Sequence, residues 1–280
     1  MSKQTLKRRI KAANQIGKVT KAMSNVAGRK LARVLPLVDN SAQYQASLEA
    51  LIESLPSAVL DHQFVSNKQT LKPLIIILAT DKGLVGPLNR ELMAKVNAIT
   101  DNPVSVILVG AKAEQFITGK NVSILHTVKD IGDIPHADTT GAIASLALSL
   151  FEQKVVDSVS VLYQQYQSST VHLPTIKSIL PIDPSTFKKQ DHFSFDIDPR
   201  IMLEALVTQL TASVLYAAMM SAKASEHATR VMSMQAASTN ATGMRDQLTQ
   251  ISFKENQRAI TSEIADTSNA RRAIQNSTFL

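Results

Sequence analysis

The turn at residues 81–87, which reads DKGLVGP, contains residue types that could hold a nucleotide phosphate. Glycines between a buried strand and a helix let a phosphate approach the backbone, and the helix N-terminus attracts its charge. A dinucleotide site requires G-x-G-x-x-G, however, and a Walker loop requires G-x-x-x-x-G-K followed by Ser or Thr. Gly83 and Gly86 supply neither pattern. We expect them to serve a tight strand-to-helix turn, while a phosphate at this helix N-terminus stays physically possible.

The histidines and carboxylates of the sequence show no arrangement typical of a catalytic centre. The six histidines include no His-Glu-x-x-His pair or comparable metal-ligand spacing, and cysteine is absent. No G-x-S-x-G nucleophile elbow occurs. The carboxylates are scattered, so no pair can be singled out as general acid and base. The sequence therefore predicts no catalytic residue, no metal and no cofactor.

Alternating apolar runs and helical patterns surround the turn and predict a layered α/β domain. The run at residues 74–80 is continuously apolar, as in strands buried on both faces of a parallel sheet. Further strands are predicted at residues 104–109, 122–125, 159–166 and 171–179, and helices at residues 88–99, 111–117 and 139–154. Strands and helices that alternate with short connections indicate a Rossmann-like domain.

The C-terminal segment, residues 200–280, contains no proline and one glycine, Gly243, although the chain has ten prolines. It predicts one uninterrupted helix of roughly 120 Å, at about 1.5 Å per residue. Alternate steps of three and four residues trace a thin coiled-coil seam, nine of whose twelve positions are apolar. The seam consists of Leu203, Leu206, Leu210, Ser213, Ala217, Met220, Ala224, His227, Val231, Met234, Ser238 and Ala241. Polar residues within residues 203–222 favour a buried helix over a membrane span.

The N-terminal segment is the predicted partner of this seam. It reads as helix at residues 3–55, with Leu6, Ile10, Ala13, Ala27, Leu31, Val34 and Val38 near one face. A long antiparallel two-helix coiled coil with an inserted Rossmann-like domain is the simplest architecture; two independent helices on a globular core are the alternative. The predicted domains are residues 1–55, 56–198 and 199–280. Pro36 is expected to bend or break the first helix, because it lacks an amide hydrogen and collides with the carbonyl of Ala32.

The positive charge of the chain is concentrated in its N-terminal arm. Residues 1–38 contain ten Lys or Arg and no acid, against a net charge of +7 for the whole chain. A basic arm of this kind fits an organelle transit peptide, a contact with nucleic-acid phosphates, or a solvated face that meets an acidic partner. The arm has no Phe, Tyr or Trp for base stacking, which weakens the nucleic-acid hypothesis. A basic coiled-coil protein that binds nucleic acid or acts as a scaffold remains the alternative.

Three segments of the chain resemble the gamma subunit family, the central rotor shafts of rotary F-type ATP synthases. Residues 16–27, IGKVTKAMSNVA, are similar to the family's opening helix. Residues 81–89, DKGLVGPLN, resemble its Asp-Arg-Gly-Leu-Cys-Gly-Gly-Leu-Asn turn. Residues 224–237, ASEHATRVMSMQAA, and then 258–264, RAITSEI, match its C-terminal helix pattern. Because the order and spacing of these segments span the chain, it is identified as a divergent member of this family.

The resemblance implies a mechanical role without catalysis of its own. The coiled coil would lie in the axis of a hexamer of alternating alpha and beta subunits, and the α/β domain would stand on the membrane c-ring beside the epsilon subunit. Ion-driven rotation of the c-ring would turn the shaft, which couples rotation to ATP synthesis or hydrolysis in the beta subunits. The implied partners are these subunits, without nucleic acid or a small-molecule substrate. The implied location is peripheral, on the cytoplasmic face of the bacterial inner membrane.

The resemblance also assigns two sets of contact residues. The hexamer interface would contain Lys18, Lys21, Met23, Asn256, Gln257, Arg258, Thr261 and Glu263. The side that faces the c-ring and epsilon would contain Phe195, Asp196 and Asp198. The family usually has an Arg-Gln pair that engages a beta-subunit loop where this chain has Asn256 and Gln257. We therefore expect neutral hydrogen bonds at that contact, helped by Arg258.

Overall fold

The computed structural model describes residues 3–66, 71–97, 103–117, 121–187 and 197–277. The helices are α1 (Lys3–Glu53), α2 (Leu88–Asn97), α3 (Ala137–Glu152) and α4 (Pro199–Ser277). The strands are β1 (Pro73–Leu78), β2 (Val104–Val109), β3 (Val122–Val128), β4 (Ser158–Tyr166) and β5 (His172–Leu180). Short 3-10 turns lie at Ser57–Val59, Glu114–Phe116 and Pro184–Thr186. The chain divides into two compact units, Met1–Asn25 with Ser233–Leu280, and Val26–Met232.

The five strands form one sheet in the order β3-β2-β1-β4-β5. Strands β3, β2, β1 and β4 are parallel to one another, and β5 is antiparallel to β4. Leu74 and Ile76 face a core shared with α1, α3 and α4, while Ile75 and Ile77 face α2. Because helices cover both faces of β1, the strand is apolar throughout, as its sequence predicts. The Rossmann-like α/β domain is confirmed.

Three predicted elements differ from the structure. The helix expected at residues 111–117 is reduced to the 3-10 turn Glu114–Phe116, since so short a segment gains too few hydrogen bonds to offset helix nucleation. Strand β3 continues three residues beyond the predicted end at Leu125, to Val128. The sheet is not wholly parallel, because the short link between β4 and β5 can close a hairpin but cannot make a parallel crossover.

Helix α1 continues through Pro36, so the predicted break is wrong, while a bend at this position stays a prediction. Proline removes the hydrogen bond to the carbonyl of Ala32, but both residues are exposed, so water can solvate that carbonyl. Val34 and Val38, on either side of the proline, pack in one cluster with Met220 of α4. This packing on both sides of the missing hydrogen bond holds the helix together.

The helix faces that the sequence pattern selected are the buried ones. All twelve predicted seam positions of α4, and all seven predicted positions of α1, are buried or half-buried. In the first unit, Ser238 Oγ donates a hydrogen bond to the carbonyl oxygen of Gly17 at 3.1 Å. A Cβ atom on Gly17 would lie 3.7 Å from the Cβ of Ala241. Small residues therefore let α1 and α4 pair closely there, and the antiparallel two-helix architecture is confirmed.

Helix α4 is also long and apolar enough, by length and composition alone, to cross a membrane. Its apolar part packs inside the protein, however. Leu203, Val207 and Leu215 are buried in the main hydrophobic core with the sheet residues. We therefore interpret this part of α4 as a core helix, in agreement with the sequence-based expectation.

Candidate functional site at the sheet edge and along the helices

Asp81 ties together the segments that follow three parallel strands at the carboxyl edge of the sheet. One carboxylate oxygen accepts hydrogen bonds from the amides of Ala111 at 3.0 Å and Asp130 at 3.1 Å, and the other accepts from Ile131 at 3.2 Å. These amides follow β2 and β3, whereas Asp81 follows β1. Backbone amides at such an edge are the groups that cradle phosphate oxygens in nucleotide sites. Here a carboxylate of the chain itself occupies them.

The glycines near this edge have different roles. Gly86 has a φ of 53°, as expected for a glycine that serves the turn, but the other left-handed position of the turn is Leu84, with a φ of 64°, and not Gly83. A Cβ atom on Gly83 would meet nothing within 4 Å. Gly110, which ends β2, has a φ of 103°, and a Cβ there would overlap the carbonyl of Ala79. Close strand-to-strand approach therefore requires glycine at position 110 more strictly than at position 83.

Helix α4 carries buried charged side chains where it passes this edge. Lys223 Nζ lies 3.1 Å from Glu226 Oε2 and 3.9 Å from Asp81 Oδ2. The other oxygen of Glu226 pairs with Arg230 at 2.8 Å. Arg230 also donates a hydrogen bond to the carbonyl oxygen of Gly83 at 3.3 Å. Ion pairs therefore link the turn after β1 to α4, and a hydrogen bond from Arg230 leads back to the same turn.

His227 links this cluster to a second loop and to α1. Its Nε2 lies 3.8 Å from Asp133 Oδ1, and its Nδ1 lies 3.5 Å from an Arg230 nitrogen. Asp133 in turn pairs with Lys30 of α1 at 2.7 Å. Desolvation lowers the pKa of His227 from 6.5 to about 4, because the favourable charges of Glu226 and Asp133 do not offset burial and the guanidinium of Arg230. The imidazole is therefore neutral at neutral pH.

The sequence pattern did not reveal this cluster, which we call the α4 charge cluster: Asp81, Asp133, Lys30, Lys223, Glu226, His227 and Arg230. Charges three and four residues apart on a helix usually lie on a solvated face. The available signal was that Lys223, Glu226 and Arg230 follow a long stretch of α4 without any charged residue, residues 205–222. Among the residues that the structure describes, no group of three or more His, Asp or Glu side chains could hold a metal ion. We interpret the cluster as a network of ion pairs around the neutral imidazole of His227.

The eight residues predicted for the hexamer interface lie in two separate patches of the first unit. Met23 and Asn256 are half-buried, and the other six are exposed. Since Gly17 lies beside Ala241, position 256 is about 22 Å further along α4, at about 1.5 Å per residue. The structure therefore does not bring the α1 and α4 residues of this set together. Arg258 pairs with Glu255 of its own helix at 3.3 Å.

Of the three residues predicted for the c-ring side, only Asp198 lies within the part of the chain that the structure describes. Phe195 and Asp196 lie outside the described residues. Asp198 directly precedes α4, where its carboxylate accepts a hydrogen bond from the amide of Arg200 at 2.9 Å and its carbonyl oxygen accepts from Met202 at 3.1 Å. Asp198 is thus an N-cap of α4, and this capping is a structural reason for an acid at that position.

Comparison with known proteins gives matches over almost the whole chain. A family model described as ATP synthase matches residues 2–274. The ATP synthase gamma chain of Stenotrophomonas maltophilia is 28% identical over 273 residues, which cover 93% of this chain and 95% of the relative. The gamma chain of Brevibacillus brevis is 28% identical over 271 residues, which cover 93% and 94%.

Solved structures of similar fold come from mitochondrial ATP synthases. A chain of the Euglena gracilis OSCP/F1/c-ring structure has a TM-score of 0.72 at 13% identity, covering 99% of this chain and 96% of that one. A chain of the Tetrahymena thermophila central stalk and c-ring has a TM-score of 0.61 at 21% identity, covering 79% and 99%. At these identities the likeness concerns the fold.

Proposed function

Because the chain belongs to the gamma-chain family of ATP synthases, we propose that it is the central rotor shaft of a rotary ATP synthase. It couples ion-driven rotation of a c-ring to ATP synthesis or hydrolysis in a hexamer of alpha and beta subunits. The observation that carries this proposal is the family match over residues 2–274, which includes both long helices and the sheet. The chain itself is a non-catalytic subunit of that enzyme.

The pairing of α1 and α4 in the first unit suits a shaft that must turn inside a narrow channel. Gly17 faces Ala241 and Ser238, three small residues that permit a short distance between helix axes. The hydroxyl of Ser238 donates a hydrogen bond to the carbonyl oxygen of Gly17, so both polar groups keep a partner where the helices come close. A slender helix pair of this kind can transmit torque without a bulky core.

The basic arm suits a surface that slides past acidic partners. Lys18 and Lys21 are exposed on α1. Exposed ion pairs contribute at most about 1 kcal/mol each. We therefore infer that the arm meets acidic loops of the beta subunits through its summed field, which attracts them without locking the shaft at one angle.

Two further contacts belong to this proposal. Asn256, Gln257 and Arg258, with Thr261 and Glu263, would meet a beta-subunit loop. The region before α4, which includes Asp198, would face the c-ring and the epsilon subunit. The bacterial relatives support a peripheral location on the cytoplasmic face of the inner membrane.

Copurification tests the proposal directly. A tagged chain, expressed in its own host and extracted gently from membranes, is expected to bring down alpha, beta, epsilon and c subunits after nuclease treatment. Recovery of nucleic acid instead, with retention that falls steeply as salt rises, would favour the alternative of a basic nucleic-acid-binding coiled coil. Recovery of neither would also contradict a rotor subunit.

A further inference from the structure

Residues 221–230 of α4 contact the sheet through polar side chains on more than one side of the helix. On one side, Ser221 Oγ accepts a hydrogen bond from the amide of Tyr166 at 2.9 Å. One turn later, Ser225 Oγ donates to the carbonyl oxygen of Gln164 at 3.0 Å. Both hydroxyls therefore connect α4 to the backbone at the end of β4 by hydrogen bonds.

The other side of the same stretch contacts the segments after β1 and β3. Arg230 donates a hydrogen bond to the Gly83 carbonyl, and Lys223 lies within ion-pair distance of Asp81. The neutral imidazole of His227 lies 3.8 Å from Asp133 without a hydrogen bond between them. These contacts, with the two serines, approach α4 from different directions around its axis. The stretch therefore makes hydrogen bonds and ion-pair contacts on two sides, just after the last buried apolar side chains of the main core, Ala218 and Met219.

Directional contacts do something that apolar packing does not. Hydrophobic burial is non-directional, so an apolar helix face resists rotation only through side-chain shape. Hydrogen bonds weaken steeply once their angles are lost, and the guanidinium fork adds geometric specificity. Buried ion pairs, by contrast, add little net stability compared with apolar side chains of the same volume, because desolvation offsets their attraction, although removing one partner alone leaves a buried charge unpaired. In this cluster Glu226 keeps its pair with Arg230 when Lys223 is replaced. At this position the ion pairs therefore serve to fix the orientation of α4 relative to the sheet.

We propose that residues 221–230 form a torque-bearing joint, in which Lys223 and Arg230 are positioning residues that fix the angle of α4 against the sheet. This inference rests on the proposed function, because only a rotor needs that angle to hold under load. Torque received by the sheet would pass into α4 through these bonds. Weakening them would let α4 twist under load while the fold persists.

Two substitutions separate this role from ordinary stability. Arg230→Lys keeps the charge and a pair with Glu226. It loses the planar guanidinium, in which one nitrogen contacts both Glu226 and the Gly83 carbonyl while the other lies 3.5 Å from His227 Nδ1. Lys223→Met keeps the approximate side-chain volume and removes the charge. Lys129→Met is the matched control, because Lys129 forms an exposed ion pair with Glu114, at 3.2 Å, without involving α4.

The first measurement uses the complete ATP synthase reconstituted in vesicles. For Arg230→Lys and Lys223→Met we expect unchanged ATP hydrolysis when an ionophore removes the load, and loss of ATP-driven ion pumping as the opposing gradient rises. Lys129→Met should match the parent at every gradient. If both joint variants pump ions like the parent at every gradient, the proposal of a joint is overturned. A proportional fall of loaded and unloaded activity also overturns it, because that result reports damaged assembly.

The second measurement uses the isolated full-length chain and does not depend on assembly. Hydrogen–deuterium exchange of the amides at residues 219–232 is expected to be about tenfold faster in both joint variants, as local opening becomes easier, and unchanged in Lys129→Met. Unchanged exchange in the joint variants overturns the joint. Failure of the parent chain to copurify with other subunits would instead defeat the proposed function, so the two failures are distinguishable.

Discussion

His227 is held neutral in the α4 charge cluster, and this makes the stability of the protein depend on pH. Desolvation lowers the pKa of its imidazole from 6.5 to about 4 in the folded chain. In the unfolded chain the imidazole takes up a proton below about pH 6.5. Between these values the unfolded state binds more protons, so the free energy of unfolding falls as the pH falls. The loss is at most roughly 3 kcal/mol and levels off below about pH 4.

A substitution isolates this contribution from that of other groups. His227→Gln cannot take up the proton, so its melting temperature should drop less than that of the parent between about pH 7 and about pH 4.5. His126→Gln, at an exposed position of β3, is the control and should follow the parent. Thermal unfolding monitored by circular dichroism measures both. Equal drops for His227→Gln and the parent would contradict the assignment.

The second prediction at the residue scale concerns the proposed contact with a beta subunit. Neutral hydrogen bonds contribute about 0.5 to 1.5 kcal/mol, and those to charged groups about 1.5 to 3. Asn256→Arg should therefore strengthen the grip on the shaft and alter rotation-coupled hydrolysis. Arg258→Ala should cost more than Asn256→Ala if Arg258 carries the charge, since the two positions are separated by two helix steps of about 100° each, point to nearly opposite sides of α4, and cannot both face the loop squarely.

ATP-driven ion pumping in reconstituted complexes compares these three variants at equal assembly. Gln247→Ala, an exposed α4 position outside the predicted contact, serves as the control. Pumping like the parent by all three would place the contact elsewhere on the shaft. Arg258 already pairs with Glu255, so a beta-subunit carboxylate must compete with that neighbour for the guanidinium.

At the scale of the element, the close pairing of α1 and α4 predicts opposite effects of small and large side chains at Gly17. A Cβ there would lie at an ordinary contact distance of 3.7 Å from Ala241, so alanine fits. Gly17→Ala should stabilise the protein by about 1 kcal/mol through helix propensity. Gly17→Leu should destabilise it, because the longer side chain must displace α4. Thermal unfolding of the isolated chain measures both changes.

Gly243 provides the matched control for this prediction. It lies in α4, and a Cβ there would meet nothing within 4 Å. Gly243→Ala and Gly243→Leu should both raise the melting temperature, because each gains helix propensity without a clash. If Gly17→Leu also stabilised the protein, the two helices would not be in close contact at that level.

Pro36 gives a prediction about stability, because α1 continues through this residue although proline is unfavourable in the interior of a helix. Replacement by Ala restores one backbone hydrogen bond and removes a steric clash, which together are worth about 3 kcal/mol in a helix interior. Alanine also leaves the unfolded chain more conformational freedom than proline does, which lowers the free energy of unfolding by about 0.4 to 1 kcal/mol. Pro36→Ala should therefore stabilise the isolated chain by roughly 2 kcal/mol. A lower melting temperature would mean that the proline relieves strain in α1.

The elements that could be predicted from sequence are those whose pattern repeats. The three-four spacing from Leu203 to Ala241 selected the buried face of α4, and the apolar run before Asp81 identified a strand covered on both faces. Segments decided by tertiary contacts could not be predicted. Packing around Val34 keeps α1 continuous, and the hairpin partner of β4 fixes the direction of β5. Likewise, the α4 charge cluster joins residues far apart in the chain, which no local spacing can show.

At the scale of the sheet domain as a whole, the place where α/β folds usually bind ligands is already filled. Such ligands lie outside the carboxyl ends of the strands, near the point where the strand order reverses. Here that region is the Asp81 turn with the α4 segment against it. A cavity of about 140 Å³ lies beside this turn, and its volume is below the several hundred Å³ of ordinary small-molecule pockets. Four carboxylates and two lysines are among its lining residues: Asp81, Asp130, Asp133, Glu226, Lys82 and Lys223.

The final prediction follows from this filled edge: the isolated chain neither hydrolyses nor tightly binds ATP. A triphosphate would have to compete with the Asp81 carboxylate for the amides of Ala111, Asp130 and Ile131, and would meet further carboxylates around it. Each like-charge contact in a partly buried site costs more than the same contact in water, since the local dielectric is lower. Calorimetric titration with Mg-ATP should show no heat beyond dilution. Micromolar binding that Gly83→Ala or Lys82→Ala abolishes would show instead that the turn opens to admit a nucleotide.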